Sequence, residues 1–590
     1  MKIITLKSIL LSIVFAFSCT LISQSQELLF EIPLSNQVEN SSQIIEGKVI
    51  SKQSFWDATQ QNIYTVNTIE VYKIFKGEYL STVEVITEGG VVGLDAEVVT
   101  PSLTLTKNDV GVFLLHNTNI QLTEDSSVSR FLPYSSVQGF YKYNIQDNKA
   151  SNPFSTRNGI TSQLYNELTT LTNNDIIYVS DYNINDEINN VNSIGRGGLV
   201  INDFSPMTIT AGTKSILTIN GGGFGTVAGT VQFSDANFGG AQFFTPLDSQ
   251  IISWTPTQIL VEVPDRAGTG NFRVVTDIGF NVTSSTNLVV PFAEINVESD
   301  AAGTLEAYQT QHIDENGSGG YTWQMHIDFN NNTAANQSFT RAFETWVCET
   351  GINWEIGSFT AVDVAANDGV NIIRFDNGSE LPGGVLGRNT SRFSGCFQSG
   401  TLKWFVSELD IVFNDSTNWY YGTGSTPGSQ YDFESVAVHE LGHGHQMAHV
   451  IDTNAIMHYA IANGQFNRIL STNDINGGND VQSRSTSTAV CGNGVMTDSA
   501  CSLSLDDNFI SDNISIYPIP TKNQLFIKTT FGITLDNAII YDVTGKYIST
   551  IDLNNNSNFK NIDLSQLSSG MYFIKISTVD ASFTRKFIIE

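Results

Sequence analysis

Positive charge is scarce in this sequence: 29 lysines and arginines stand against 59 aspartates and glutamates, a formal net charge of −30 over 590 residues. That balance repels phosphate backbones and anionic headgroups, so nucleic acid is excluded as a partner and the surplus serves solubility. Cysteine is scarce too, with five in the whole chain, none between Cys19 and Cys348, and no CxxC pair to suggest a zinc ribbon. Beyond the first 22 residues no apolar run approaches the roughly 20 residues that cross a bilayer, so no membrane span is expected. Charged residues make up only 15% of the chain, while Asn, Ser, Thr and Gly abound between alternating Val, Ile and Phe runs. This reads as mostly β domains with polar surfaces, helix being concentrated in one region. The length is too great for one core and predicts about three to five domains.

Lys2 and Lys7 precede an apolar stretch from Ile9 to Ile22, followed by Ser23-Gln24-Ser25-Gln26. This predicts a secretory signal peptide over residues 1–25, cleaved near Ser25. Ala16-Phe17-Ser18 is a poor lead-in for a lipoprotein site at Cys19, which belongs to the discarded segment. Export permits disulfides, and four cysteines then remain: Cys348, Cys396, Cys491 and Cys501. Of the three pairings, Cys348 with Cys396 and Cys491 with Cys501 are expected, the second closing a short loop that contains glycine.

Residues 26–194 alternate as strands, as in Ile44–Ile50 and Thr82–Ile86, and predict a small β-barrel or sandwich with a structural or binding role. From Asn202 to Gly225, Ser253 to Pro264 and Gly268 to Val275, short strands alternate with Gly and Pro turns, predicting an antiparallel sandwich over 200–290. At these residues the chain resembles the IPT/TIG immunoglobulin-like family. Gly221-Gly222-Gly223 has no following lysine or helix, so it is a turn rather than a phosphate cradle. Residues 291–498 change character. Phe339, Phe343 and Trp346 sit at helical spacing with Ser338 as N-cap, Glu408–Asn414 reads as a strand, and Tyr431–Gly444 reads as a second helix. The segment 507–590 returns to strands: Ile514–Pro520, Leu567–Ile576 and Arg585–Ile589. These residues resemble the C-terminal sorting domain of type IX secretion substrates, which implies the type IX machinery as partner and a secreted or cell-surface location.

Five of the eight histidines lie between His439 and His458, in HELGHGHQMAH and just beyond it. On a helix, His439 and His443 stand one turn apart on one face, so both imidazoles reach a single ion at about 2.0–2.1 Å. Glu440 points to the adjoining face, placed as a general base for a water on that ion. In a continuous helix His449 would lie about 15 Å farther along the axis. A helix break, favoured by Gly442 and Gly444, is required before it becomes the third ligand. His445 falls on the far side and reads as structural.

Met457 follows within Ala455-Ile456-Met457-His458-Tyr459. Here the sequence resembles the metzincin zinc peptidases, whose HExxHxxGxxH helix is followed by a methionine turn beneath the metal. The spacing is matrixin-like and the Met-His-Tyr triplet astacin-like. The resemblance implies a multidomain protein whose α+β metzincin-like catalytic domain carries β-sandwich accessory domains. It also implies Zn2+ held by His439, His443 and His449, catalysis by Glu440, and Tyr459 as a zinc ligand or donor to the tetrahedral intermediate. Met457 is expected to pack. Gln446 stands where the family has glycine, so the turn needs a non-glycine residue at positive φ or moves to Gly444. Asp363, Asp368, Asp376, Asp410 and Asp415 are candidates for a structural Ca2+ site, although exposed turn carboxylates explain them better. The expected function is a secreted endopeptidase that hydrolyses extracellular proteins by a Glu-activated, zinc-bound water. The alternatives are a non-enzymatic surface adhesin or binding protein with a structural or decayed zinc site, and a metal-dependent hydrolase of non-peptide bonds.

Overall fold

The computed structural model describes residues 29–193, 198–378, 380–459, 461–499, 514–529, 535–553, 559–578 and 582–590. The expected signal peptide and Cys501 lie outside the described residues. Of the two architectures expected for the N-terminal module, the barrel is found. Gln43–Trp56 pairs with Ile63–Lys76 on one side and Val110–Asn117 on the other. Thr82–Glu88 and Arg130–Pro133 then close a five-strand ring. Period-two alternation fills it: Ile69 and Val71, Val83 and Val85, and Phe113 and Leu115 all point into one buried cluster. Short helices at Leu34–Asn40, Asn166–Thr172 and Ile184–Ser193 accompany the ring, while the longest helices are concentrated between Thr333 and Ser487, as expected.

The next module is two four-stranded antiparallel sheets between Val200 and Thr283. They enclose Leu217, Ile219, Phe233, Ile259, Val261, Phe272 and Val274. The chain then runs through Ala293–Glu294, which pairs with Met447–Ala448, so the link out of the sandwich lies along the segment that follows the histidine helix.

Residues 291–498 are built on a mixed sheet. Trp354–Ile356, Tyr321–Met325, Asn371–Phe375 and Thr401–Phe413 run parallel, and Gly387–Gln398 pairs antiparallel to the last of them. The sheet does not stop there. Asp95–Thr100 of the N-terminal module pairs with Ser394–Asn389, and Gly90–Val92 adds a seventh strand. The helix Thr333–Thr350 presents Phe339, Phe343 and Trp346 to the core as the spacing predicts. Its cap is Asn332, whose side chain accepts the Ala335 amide at 3.2 Å; the expected cap, Ser338, is a buried residue inside the helix. Asn332 takes the role because the chain enters the helix nearly two turns earlier than the aromatic spacing shows.

Where the barrel strand meets this sheet, Arg392 is enclosed by Glu97, Glu408 and Asp410. Burial pushes the Glu97 carboxyl from 4.5 up to about 7, against the pull of Arg392. The folded protein thus keeps a proton that the unfolded chain releases. The stability this group contributes is fully present below about pH 4.5 and is lost as pH rises through about 7. An unfolding free energy from urea titration that is higher at pH 5 than at pH 8 by about 1–3 kcal/mol, the difference shrinking in Glu97→Gln, is the expected result.

Cys396 is bonded to Cys491, 95 residues away, and Cys348 is disulfide-bonded as well. Neither expected pairing, Cys348 with Cys396 or Cys491 with Cys501, is therefore correct. The hairpin of Gly387–Gln398 and Thr401–Phe413 carries Cys396 to within 5.7 Å (Cα to Cα) of Cys491, an approach that loop length along the chain does not reveal. The C-terminal segment forms a three-stranded and a four-stranded antiparallel sheet around Leu525, Ile527, Ile540, Ile574 and Phe587. Among the described residues no helix is long and apolar enough to cross a membrane.

Candidate metal centre

The helix expected from Tyr431 begins at Phe433, capped by Asp432, whose Oδ1 accepts the Ser435 amide at 2.9 Å. Tyr431–Asp432 is a short strand beside Trp419–Tyr420. Every residue from Phe433 to Gly444 is buried. Trp346 packs against the helix and donates its Nε1–H to the Val438 carbonyl at 2.7 Å. Gly442 has a packing role as well as a low helix propensity, because a Cβ there would fall 2.2 Å from the Met457 sulfur. Met457 thus packs beneath the helix, as expected.

The helix stops at Gly444, His445 caps it, and Gln446 adopts φ +68°. The reversal is made at Gln446 and not at Gly444. A side chain in this region costs about 1–2 kcal/mol, and the buried Gln446 offsets it with bonds that glycine lacks. Its Oε1 accepts from Thr310 Oγ1 at 3.1 Å and its Nε2 donates to the Gly444 carbonyl at 3.1 Å. Its own carbonyl accepts the Ile295 amide at 2.8 Å. Gln446→Gly is therefore expected to lower stability by about 1–2 kcal/mol in urea unfolding despite relieving φ, because buried Thr310 keeps only its longer bond to the Ile295 carbonyl at 3.5 Å and a cavity opens.

The reversal brings His449 back to the helix. The three Nε2 atoms form a triangle: 2.9 Å from His439 to His443, 3.1 Å from His443 to His449 and 3.3 Å from His439 to His449. Among the described residues this is the grouping of metal-ligand side chains close enough to share an ion. Each Nδ1–H is committed elsewhere: His439 to the Ile456 carbonyl at 2.8 Å, His443 to the Met447 carbonyl at 2.8 Å, and His449 to Asn237 Oδ1 at 2.9 Å. Those acceptors fix the tautomer, so three Nε2 lone pairs face one another with no proton between them. Burial keeps the rings neutral, pushing His443 down to about 4 and His439 and His449 well below the ordinary 6.5. Three converging acceptors call for a cation. Tetrahedral zinc with nitrogen bonds of about 2.0–2.1 Å needs edges of about 3.3–3.4 Å, which these rings reach by a small outward shift.

Glu440 follows His439 on the helix and is fully buried, and its carboxylate has only the Asn389 amide nearby as a weak donor, with no bond of full hydrogen-bond geometry. Burial pushes its carboxyl well above the ordinary 4.5, with the Arg388 guanidinium opposing. Gly387 lets the neighbouring strand approach, since a Cβ there would lie 2.9 Å from Glu440 Oε1. His445 takes no part in the triangle; its Nε2 bonds Thr350 Oγ1 at 3.1 Å. Tyr459 stands beside the methionine turn with its hydroxyl against Gly239 of the sandwich. The turn itself is held by Asp474, which accepts the Ile456 amide at 2.9 Å and the Met457 amide at 3.3 Å.

The five aspartates named for calcium form no comparable group among the described residues. Asp410 pairs with Arg392, Asp376 accepts the Asp415 and Leu381 amides, and Asp368 accepts the Val370 amide. Asp363 accepts from Asn377 Nδ2. Sequence reading missed Asp474, Gly387 and Asn237. The first has a readable signal, since Ser471 and Asp474 form a capping box; the other two act through approaches that no local pattern announces.

Against known proteins, residues 320–481 match the family described as Matrixin, and residues 515–590 match the secretion system C-terminal sorting domain. Metalloendoproteinase 2-MMP of Arabidopsis thaliana is 30% identical over 141 residues, 24% of this chain. The chain spans about a third, 34%, of that relative's length. A Bacteroides vulgatus protein with an immunoglobulin-like β-sandwich fold is 17% identical at a TM-score of 0.12, covering 13% of this chain and 85% of its own. A biofilm-associated protein, its BSP domain, is 9% identical at a TM-score of 0.17, covering 93% and 81%. Scores that low carry no argument. The histidine triangle thus falls inside a matched family, and this chain carries a matrixin domain at residues 320–481 together with a secretion sorting domain at 515–590.

Proposed function

We propose that this protein is a secreted zinc-dependent endopeptidase of the metzincin type, acting on extracellular proteins. The observation that carries the reading is the convergence of three Nε2 atoms, each ring's Nδ1 being bonded elsewhere, on a helix that also carries the buried carboxylate of Glu440. His439, His443 and His449 would hold the ion. When bound, zinc polarises a carbonyl and acidifies water. Glu440 takes the proton of the attacking water and returns it to the leaving amine, the two roles that a carboxylate one residue after His439 on the helix can serve. Tyr459 is assigned to the tetrahedral intermediate by its resemblance to the astacin triplet. The sorting domain supports export through type IX secretion, and the paired four-stranded sheets over 200–290 support an IPT/TIG module.

The test uses the full chain on an unfolded protein substrate, stripped by a chelator and then supplied with one equivalent of zinc. Cleavage that disappears and returns supports the reading. A chain that holds zinc and cuts none of the proteins or peptides offered overturns it in favour of a surface binding protein.

A further inference from the structure

We propose that Asn237, which belongs to the β-sandwich module, is a positioning residue for His449, so that the metal centre is completed across two modules. The inference rests on the histidine triangle being a zinc site. The acceptors for His439 and His443 are backbone carbonyls of Ile456 and Met447, supplied by the same domain close by in sequence. His449 differs. It lies beyond the Gln446 turn, off the helix, and its acceptor is a side chain 212 residues earlier in the chain.

That side chain is held in place. Asn237 sits in the short helical turn Ala236–Phe238, its amide donating to Asp235 Oδ1 at 3.0 Å. Asp235 is buried and paired with Arg266, whose guanidinium stacks over Phe244 at 4.6 Å. The Gly240 amide bonds the Asp235 carbonyl at 2.8 Å, closing the turn. The turn is pressed onto the catalytic domain: a Cβ on Gly239 would fall 2.2 Å from the Tyr459 hydroxyl, and one on Gly268 would fall 2.4 Å from Ile451. A ligand-orienting acceptor is therefore mounted on a rigid element, which sets ring orientation and keeps the Nδ1 proton away from the metal-facing nitrogen.

The test compares the full chain with Asn237→Leu, which keeps bulk and loses the acceptor, and Asn237→Asp, which keeps an acceptor. The readouts are the zinc dissociation constant by chelator competition and module docking by limited proteolysis of the metal-free protein. Asn237→Leu is expected to weaken zinc binding about 10–100-fold. Asn237→Asp is expected to bind zinc at least as tightly as the parent, and both are expected to keep the parent's proteolysis pattern. In a His449→Ala background, Asn237→Leu should change nothing further, because its route to the metal has gone. A parent that holds zinc while Asn237→Leu binds it equally well overturns the proposal alone. So does an unchanged loss in the His449→Ala background, which would mean that Asn237 acts by holding the fold. A parent that holds no zinc overturns the metal-site reading and this proposal together. If Asn237→Leu loosens docking, the smaller Asn237→Ala is judged by the same cycle.

Discussion

Glu440→Gln is expected to keep one zinc per chain and to lose peptide cleavage, kcat falling by about 10²–10⁴ or more. The two side chains have nearly the same shape, and Glu440 contacts none of the three Nδ1 acceptors that orient the ligands, so the metal centre should stand. What disappears is a group able to take a proton. The same substitution should raise the thermal midpoint, because a fully buried carboxylate whose desolvation outweighs the Asn389 amide and Arg388 is a cost to the fold that a neutral amide reduces. Loss of activity combined with gain of stability separates a catalytic role from a structural one. A peptide assay, a metal count and a melting curve on the same preparation check all three parts. Glutamine activity above a tenth of the parent rate would assign the proton transfer to another residue.

The parts of this site that were legible in the sequence are those set by local geometry. His439 and His443 lie one helical turn apart, and the need for a break before His449 follows from 1.5 Å per residue. Phe339, Phe343 and Trp346 announced a helix by their period, though not its start. What the sequence hides is whatever depends on an approach between distant segments. Nothing around Asn237 marks it as a partner for His449, and Gln446 reads as a flaw until Thr310 and Ile295 are seen against it. Cys396 looks nearest to Cys348 along the chain, whereas the hairpin delivers it to Cys491. The barrel strand Asp95–Thr100 alternates like its neighbours, and no residue in it discloses that it pairs outside its own module.

A chain cut down to residues 291–498 is expected to fail as a cooperative fold, although it contains all three histidines and Glu440. Removing the barrel strips the outer edge of Gly387–Gln398, which pairs with Asp95–Thr100 from Asn389 to Ser394, and leaves open backbone groups that invite aggregation. It also uncovers Leu381, Val385 and Val412, which are buried in the cluster shared with the barrel. At about 1.5–3 kcal/mol for each such side chain, exposing the three costs about 4–9 kcal/mol, on the scale of a whole domain's stability of about 5–15 kcal/mol. Removing the sandwich uncovers Ala448, which packs against the sandwich core, and takes away Asn237. Urea unfolding of 291–498 and of 29–498 provides the comparison: a sharp transition for the longer chain, and a broad transition with dye-binding apolar surface for the shorter. A sharp transition for 291–498 at nearly the same urea midpoint as the longer chain would show that the shared edge and core are dispensable. If the expected result holds, silence of the isolated catalytic segment in a peptidase assay says nothing about the chemistry, which has to be judged with both preceding modules in place.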